Sequence, residues 1–466
     1  MKKIIAIALS AVLTAGSFLS GCTPGQTDVS DFSSSAVIST SETASLAQSS
    51  EDVPESQVPL SSEETSGLPF EHVSEASSAS SGSTAPEVTN SPAAPTSTPV
   101  PAEPTVTIPP EEVGEYMKFD INTFLKPYWE GSIIYNEPLM FVKNQDGTID
   151  PAQLLYHPDE IISVRTSDLS KEYKEGTDYT VEDGKIVLTE NTSIFSWAYN
   201  TYYPTMYKQG QSFGKTGGGY LMYAEGTTFT RTQVAVTYRH SWKWKGTIPE
   251  RQGVRLSGTL EKLKRKEPVK VLFYGDSITV GCNSSGWSGS LMYPKVPIWP
   301  ELVIQSLSIK YGNDKITYVN TAVGGTTSEW GKLNASANVA AHDPDLVVIA
   351  FGMNDGALDK YMFKSNIRSI MNTVREGSPD TEFLLVSTTL PNKEAAGFYL
   401  SQWQYESVLE ELSDEMSGTA IVPMTSMHSY LLKRKRFYDM TGNNINHPND
   451  FLARMYAQSV CEVLSE

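Results

Sequence analysis

From about Tyr116 the chain falls into short runs of alternating apolar and polar residues, broken by turn formers. The runs at 161–167 (IISVRTS), 185–190 (KIVLTE), 220–225 (YLMYAE) and 232–240 (TQVAVTYRH) carry the two-residue period of half-buried strands. The tripeptides at 176–178 (GTD) and 182–184 (EDG) suit the turns between them. No useful length of helical period intervenes before about Gly258, so the pattern predicts a β-sandwich over residues 113–262.

The pattern changes after LEKLKRKEPVK. Near-continuous apolar runs at 269–274, 316–321, 345–351, 382–388 and 419–424 alternate with helix candidates near 297–310, 327–340, 358–376 and 395–416. A last helix is expected from about Asp450 to Leu464. Apolar strands that alternate with helices predict a parallel sheet covered on both faces, over 263–466. In such sheets ligands bind beyond the carboxyl ends of the strands.

The 466 residues carry a formal charge of −18, which argues against nucleic acid as a partner. Most of that charge lies between Thr23 and Glu112, where there are 14 Asp or Glu and no Lys or Arg. This Ser/Thr/Pro/Glu-rich stretch (23–112) has too little apolar surface to offset chain entropy and is expected to be a disordered tether. Before it, two lysines, an apolar run and small residues ending at Cys22 form a signal-peptide pattern over 1–22. LSGC, Leu19 to Cys22, resembles a bacterial lipobox. That implies a lipidated Cys22 and a protein held at the extracellular face of the membrane by its lipid anchor alone; a plain signal peptide would leave it secreted. The six histidines are scattered singly, so no metal site and no cofactor is expected. Cys282 and Cys461 read as small buried hydrophobes rather than a disulfide.

The chemically interesting residues follow the strands. Ser277 comes after the first (GDSIT), AVGGTTS (322–328) after the second, GMND (352–355) after the third, and NHPND (446–450) after the fifth, before the last helix. They supply a hydroxyl, close-approaching glycine amides, a side-chain amide and an imidazole. An acyl-transfer site needs those groups: a nucleophile, its base and donors for the oxyanion. Ser277, at a strand-to-helix junction, is also placed to cap a helix whose N-terminus favours an anion.

In order and position these blocks resemble those of the SGNH/GDSL hydrolase family. The resemblance implies a three-layer α/β/α, flavodoxin-like domain with a five-stranded parallel sheet, preceded here by a jelly-roll-like sandwich. It makes Ser277 the nucleophile and His447 the base. The amides of Ser277 and Gly325 (or Gly324) and the Asn354 side chain become the oxyanion donors. The family's aspartate three residues before the histidine is replaced by Asn444. In a serine protease, Asp to Asn in that role costs about 10⁴ in rate. Three alternatives follow: a Ser–His dyad oriented by a carbonyl (Asn444 or backbone), Asp439 folding back to serve, or an inactive site.

The arrangement resembles two-domain carbohydrate esterases, so the expected substrate is an acetylated polysaccharide. A lysophospholipase or thioesterase is the rival within enzymes, and a non-catalytic glycan-binding lipoprotein the rival outside them. The segment after Ser277 (CNSSGWSGSLMYPKVPIWP) is too mixed for an apolar lid. Four other features carry bland expectations. GQSFG (210–214) is a glycine-rich loop and not a nucleophile elbow, because a helix does not follow it. The aromatics around His240, with Trp129, Trp197, Trp242 and Trp244, form packing in preference to a sugar platform. His428 is structural, and AHDPDL (341–346) is a turn.

Overall fold

The computed structural model describes residues 120–465; the signal-peptide and tether segments, Cys22 included, lie outside them. The first half holds nine short strands: β1 (Ile133–Leu139), β2 (Ala152–Gln153), β3 (Glu160–Thr166), β4 (Glu172–Tyr173), β5 (Tyr179–Glu182), β6 (Lys185–Leu188), β7 (Ser212–Gly214), β8 (Tyr220–Met222) and β9 (Val234–Arg239). They pair antiparallel as a four-stranded sheet β1-β9-β3-β4, a three-stranded sheet β2-β6-β5 and a hairpin β7-β8. Asp183 and Gly184 both have positive φ and make the two-residue turn between β5 and β6. The alternation does not announce β1. Its sequence, IIYNEPL, holds Asn136 at φ 50° and Pro138, and its register on β9 shifts between Ile134 and Glu137. Such a bulge breaks the two-residue period.

The second half is a parallel sheet of β10 (Val269–Gly275), β11 (Ile316–Asn320), β12 (Leu346–Ala350), β13 (Glu382–Val386) and β14 (Thr419–Val422). Its order, β11-β10-β12-β13-β14, is the 2-1-3-4-5 winding of flavodoxin-like folds. The chief helices are α1 (Ser257–Lys264), α2 (Ser277–Val280), α3 (Trp299–Tyr311), α4 (Ser328–Asn338), α5 (Lys360–Gly377), α6 (Tyr405–Glu415), α7 (Met424–Leu431) and α8 (Asp450–Val463). Successive side chains of a strand face opposite ways. Val269, Val271 and Phe273 of β10 therefore join a core with α3 and α8, while Leu272 and Tyr274 join one with α5 and α6. The first of these cores continues into the antiparallel half through Ile134, Val164, Val236 and Tyr238.

The helix expected over 395–416 begins only at Tyr405. The residues before it are committed elsewhere: Ala395 bridges to Lys215 beside β7, and Ala396 N–H donates to Gly214 O. α7 is not evident from the pattern, because its MTSMHSYL directly continues the β14 run.

Candidate active site

β10 ends at a glycine for a steric reason. A Cβ on Gly275 would lie 2.4 Å from Ala350 O of the neighbouring strand. The chain then turns so that Asp276 caps α2, its carboxylate accepting from Ile278 N–H at 3.0 Å, and Ser277 is the first helical residue. The helix is a single turn, closed by Gly281 at φ 89°. Its dipole is correspondingly small, so anion stabilisation here depends on discrete donors.

Hydrogen bonds lace the next two blocks to this turn. Gly275 O accepts from Val323 N–H at 3.1 Å, and Thr326 Oγ1 donates to Val323 O at 2.7 Å. Between them Gly325 sits at φ 76°, a left-handed conformation that favours glycine. Asn354 Nδ2 donates one hydrogen to Thr326 O at 2.9 Å, which leaves its second for a ligand. Asp355 completes the link by accepting from Ser328 N–H at 2.9 Å and Ser328 Oγ at 2.6 Å. Burial pushes the Asp355 carboxyl up to about 6, and burial pushes Asp276 up to about 7, with the Asp355 charge adding to it.

The fourth block is folded around Asn443, whose Oδ1 accepts from the N–H groups of Ile445, Asn446 and His447, each at 3.0 Å. This tight loop delivers His447 Nε2 to 2.8 Å from Ser277 Oγ, 170 residues away. Neither residue has exposed surface. Four blocks read separately from the sequence thus converge, with Ser277 and His447 in direct contact.

Neither expected orienter of the histidine is beside it. Asn444 lies at φ 70°; its Oδ1 accepts from Tyr202 Oη and its Nδ2 donates to Met222 O, both at 2.9 Å. Asp439 is buried, accepting from Met140 N–H at 2.8 Å and facing Arg436 at 3.4 Å. Each is drawn away by other partners, Asn444 and Asp439 alike reaching groups of the antiparallel half. His447 Nδ1 instead meets Asn283 Oδ1 at 2.6 Å and Glu225 Oε2 at 3.2 Å. Asn283 Nδ2 donates to Gly226 O at 2.8 Å, which turns its oxygen toward the ring. The sequence holds no signal for Glu225: it lies 222 residues before His447, in the other half of the chain.

The remaining candidates have structural partners. Ser212 of GQSFG exchanges hydrogen bonds with the Lys208 backbone, at the start of β7. His428 is buried and accepts from Leu390 N–H at 2.9 Å; burial holds its imidazole down at about 3. His240 stacks on Tyr156 with centroids 4.0 Å apart. Trp197 and Trp244 are buried, Trp244 against Trp129 and Tyr430, whereas Trp242 is 46% exposed. Cys282 and Cys461 form no disulfide. The segment AHDPDL is the expected turn into β12, with Asp345 accepting from Lys270 N–H at 2.7 Å.

A serine and its partnered imidazole, beyond the carboxyl ends of a 2-1-3-4-5 parallel sheet, define a doubly wound α/β domain equipped for nucleophilic chemistry. Residues 273–453, which carry all four blocks, match the model of the GDSL-like Lipase/Acylhydrolase family. An arylesterase of Vibrio mimicus is 25% identical over 119 residues, covering 25% of this chain and 54% of that relative. The chain therefore spans about half the length of the relative it matches. Among solved structures, a two-domain esterase active on acetylated mannans is 21% identical with a TM-score of 0.37, covering 47% of this chain and 55% of that one. An acetylxylan esterase from Geobacillus stearothermophilus is 20% identical with a TM-score of 0.35, covering 42% and 95%.

Proposed function

We propose that the protein is a serine esterase that removes short acyl groups, acetyl above all, from a polysaccharide. The 2.8 Å contact between Ser277 Oγ and His447 Nε2 carries the reading. His447 takes the Ser277 proton as Oγ bonds to the ester carbonyl carbon. The oxyanion is met by the second Asn354 N–H with the Ser277 and Gly325 amides. As the carbon–alkoxide bond breaks, His447 returns its proton to the departing alcohol. Water, deprotonated by the same imidazole, then releases the acid and restores Ser277.

The acyl preference rests on burial. Ser277 and His447 have no exposed surface, and Asn283, Ser284 and Ser285, just past the helix that Ser277 opens, are each 1% exposed. A site so enclosed suits acetyl better than a long chain. On the segment tied to the third block by the Gln402 Nε2 to Met353 O bond, Leu400 and Trp403 are exposed, and an aromatic face of this kind suits a pyranose ring. Display at the outer membrane face through a lipidated Cys22 is part of the proposal, supported by the LSGC pattern and the acidic tether.

The test compares the protein with its Ser277→Ala variant on p-nitrophenyl acetate, acetylated xylan, acetylated mannan and esters of increasing chain length. Loss of all activity in the variant, with acetate cleaved fastest in the parent, is the expected result. Equal activity in both removes the serine-esterase reading, and a rate rising with chain length removes the acetyl preference. Loss of fatty-acid labelling on Cys22→Ala checks the anchor.

A further inference from the structure

Accepting the esterase reading, we infer that the site is divided between the two halves of the chain: Glu225, from the antiparallel half, is the positioning carboxylate of His447, and Asn283 fixes its tautomer. The two acceptors at Nδ1 differ in kind. Asn283 Oδ1, at 2.6 Å, is neutral and is held by its own donation to Gly226 O. With Nδ1 protonated toward it, the lone pair of Nε2 faces Ser277. Glu225 Oε2, at 3.2 Å, brings the negative charge that an imidazolium requires when the serine proton arrives.

Glu225 is built to stay ionised. Burial by itself would raise its carboxyl, but the His447 charge and hydrogen bonds from His447, Tyr223 and Asn443 outweigh it and hold the group down at about 2. Tyr223 Oη reaches Oε1 at 2.7 Å and Asn443 Nδ2 reaches it at 3.1 Å. Asn443 is also the residue that shapes the histidine loop, so one amide aligns base and carboxylate together. Apolar packing holds the two segments in register: Leu221 and Tyr223, beside Glu225, share a core with Ile445, beside His447. The antiparallel half therefore completes the chemistry and is not an appendage to it. Asn444, which occupies the family's aspartate position, is left to join the halves through Tyr202 and Met222.

The experiment uses the full chain with p-nitrophenyl acetate as probe. Glu225→Gln keeps the shape and removes the charge. The expected result is a kcat about 10²- to 10³-fold lower with KM little changed, and an acid limb of the kcat/KM profile moved to lower pH. Asn283→Ala is expected to lower kcat without moving the acid limb, because the carboxylate remains. Should Glu225→Gln not fold, Glu225→Asp gives the same reading, with a partial loss of kcat and the acid limb kept. A loss uniform across pH with the limb unmoved, or activity within about threefold of the parent, overturns the role of Glu225. Ser277→Ala, run alongside, separates the two failures. If it is inactive while Glu225→Gln matches the parent, only the divided site falls. If Ser277→Ala is fully active, the esterase reading falls first.

Discussion

Lys435 Nζ lies 2.5 Å from Glu137 Oε1, and neither side chain has any exposed surface. Glu137 stands at the bulge of β1, where it also accepts from Leu155 N–H and Tyr238 Oη, each at 2.7 Å. Lys435 follows α7 and donates further to Pro138 O at 3.1 Å. The pair crosses from one half of the molecule to the other. Removing one partner strands a buried charge, which costs about 3–5 kcal/mol. Lys435→Ala is expected to lower unfolding stability by that amount in denaturant titration. Lys435→Met with Glu137→Gln is expected to recover most of it, since the stranded charge is then absent.

Asn354→Ala removes the amide proposed as an oxyanion donor and its bond to Thr326 O. Loss of such a donor lowers kcat by about 10²- to 10³-fold. Steady-state kinetics on p-nitrophenyl acetate are expected to show that loss chiefly in kcat. Thermal unfolding is expected to change little, since Val323 and Thr326 retain their own bonds.

The four blocks were legible because each is local. A glycine forced by the neighbouring strand (Gly275), a left-handed glycine (Gly325) and an amide just past a strand (Asn354) leave marks within a few positions of sequence. The five parallel strands were legible for the same reason, as continuous apolar runs. What escaped is tertiary. β1 hides its period behind Asn136 and Pro138, and α6 loses the first part of its expected range to bonds with the β7 hairpin. Glu225 has no motif because its meaning depends on how the β8 segment packs against Ile445.

Asp276 gives a pH prediction. Burial raises its carboxyl to about 7, so the folded state binds this proton more tightly than the unfolded chain does. The stabilisation is complete below the ordinary aspartate range, near about 4, and is lost as pH rises through about 7, a change of about 4 kcal/mol. Asn at this position keeps a capping oxygen for Ile278 N–H but does not ionise. Asp276→Asn is therefore expected to gain stability relative to the parent between about pH 5 and about pH 8, measured as midpoint differences in denaturant at each pH. A difference independent of pH would contradict the assignment.

Asn444→Asp restores the aspartate that the family pattern places three residues before the histidine, yet it is expected to harm the protein. The side chain does not face His447: Oδ1 accepts from Tyr202 Oη, and Nδ2 donates to Met222 O. An aspartate keeps the first bond but sets a carboxylate oxygen against the Met222 carbonyl, in a position with no exposed surface. Leaving such an acceptor buried without a donor costs about 1–3 kcal/mol, and more when it is charged. Burial would in turn drive the new carboxyl toward its neutral form. Relative to the parent, the variant is expected to unfold earlier at about pH 8 than at about pH 5. Combined with Glu225→Gln, it is expected to leave the lost activity unrescued. Recovery of activity in the double variant would mean that the histidine loop can swing the introduced carboxylate onto His447, against the packing of Asn444 seen here.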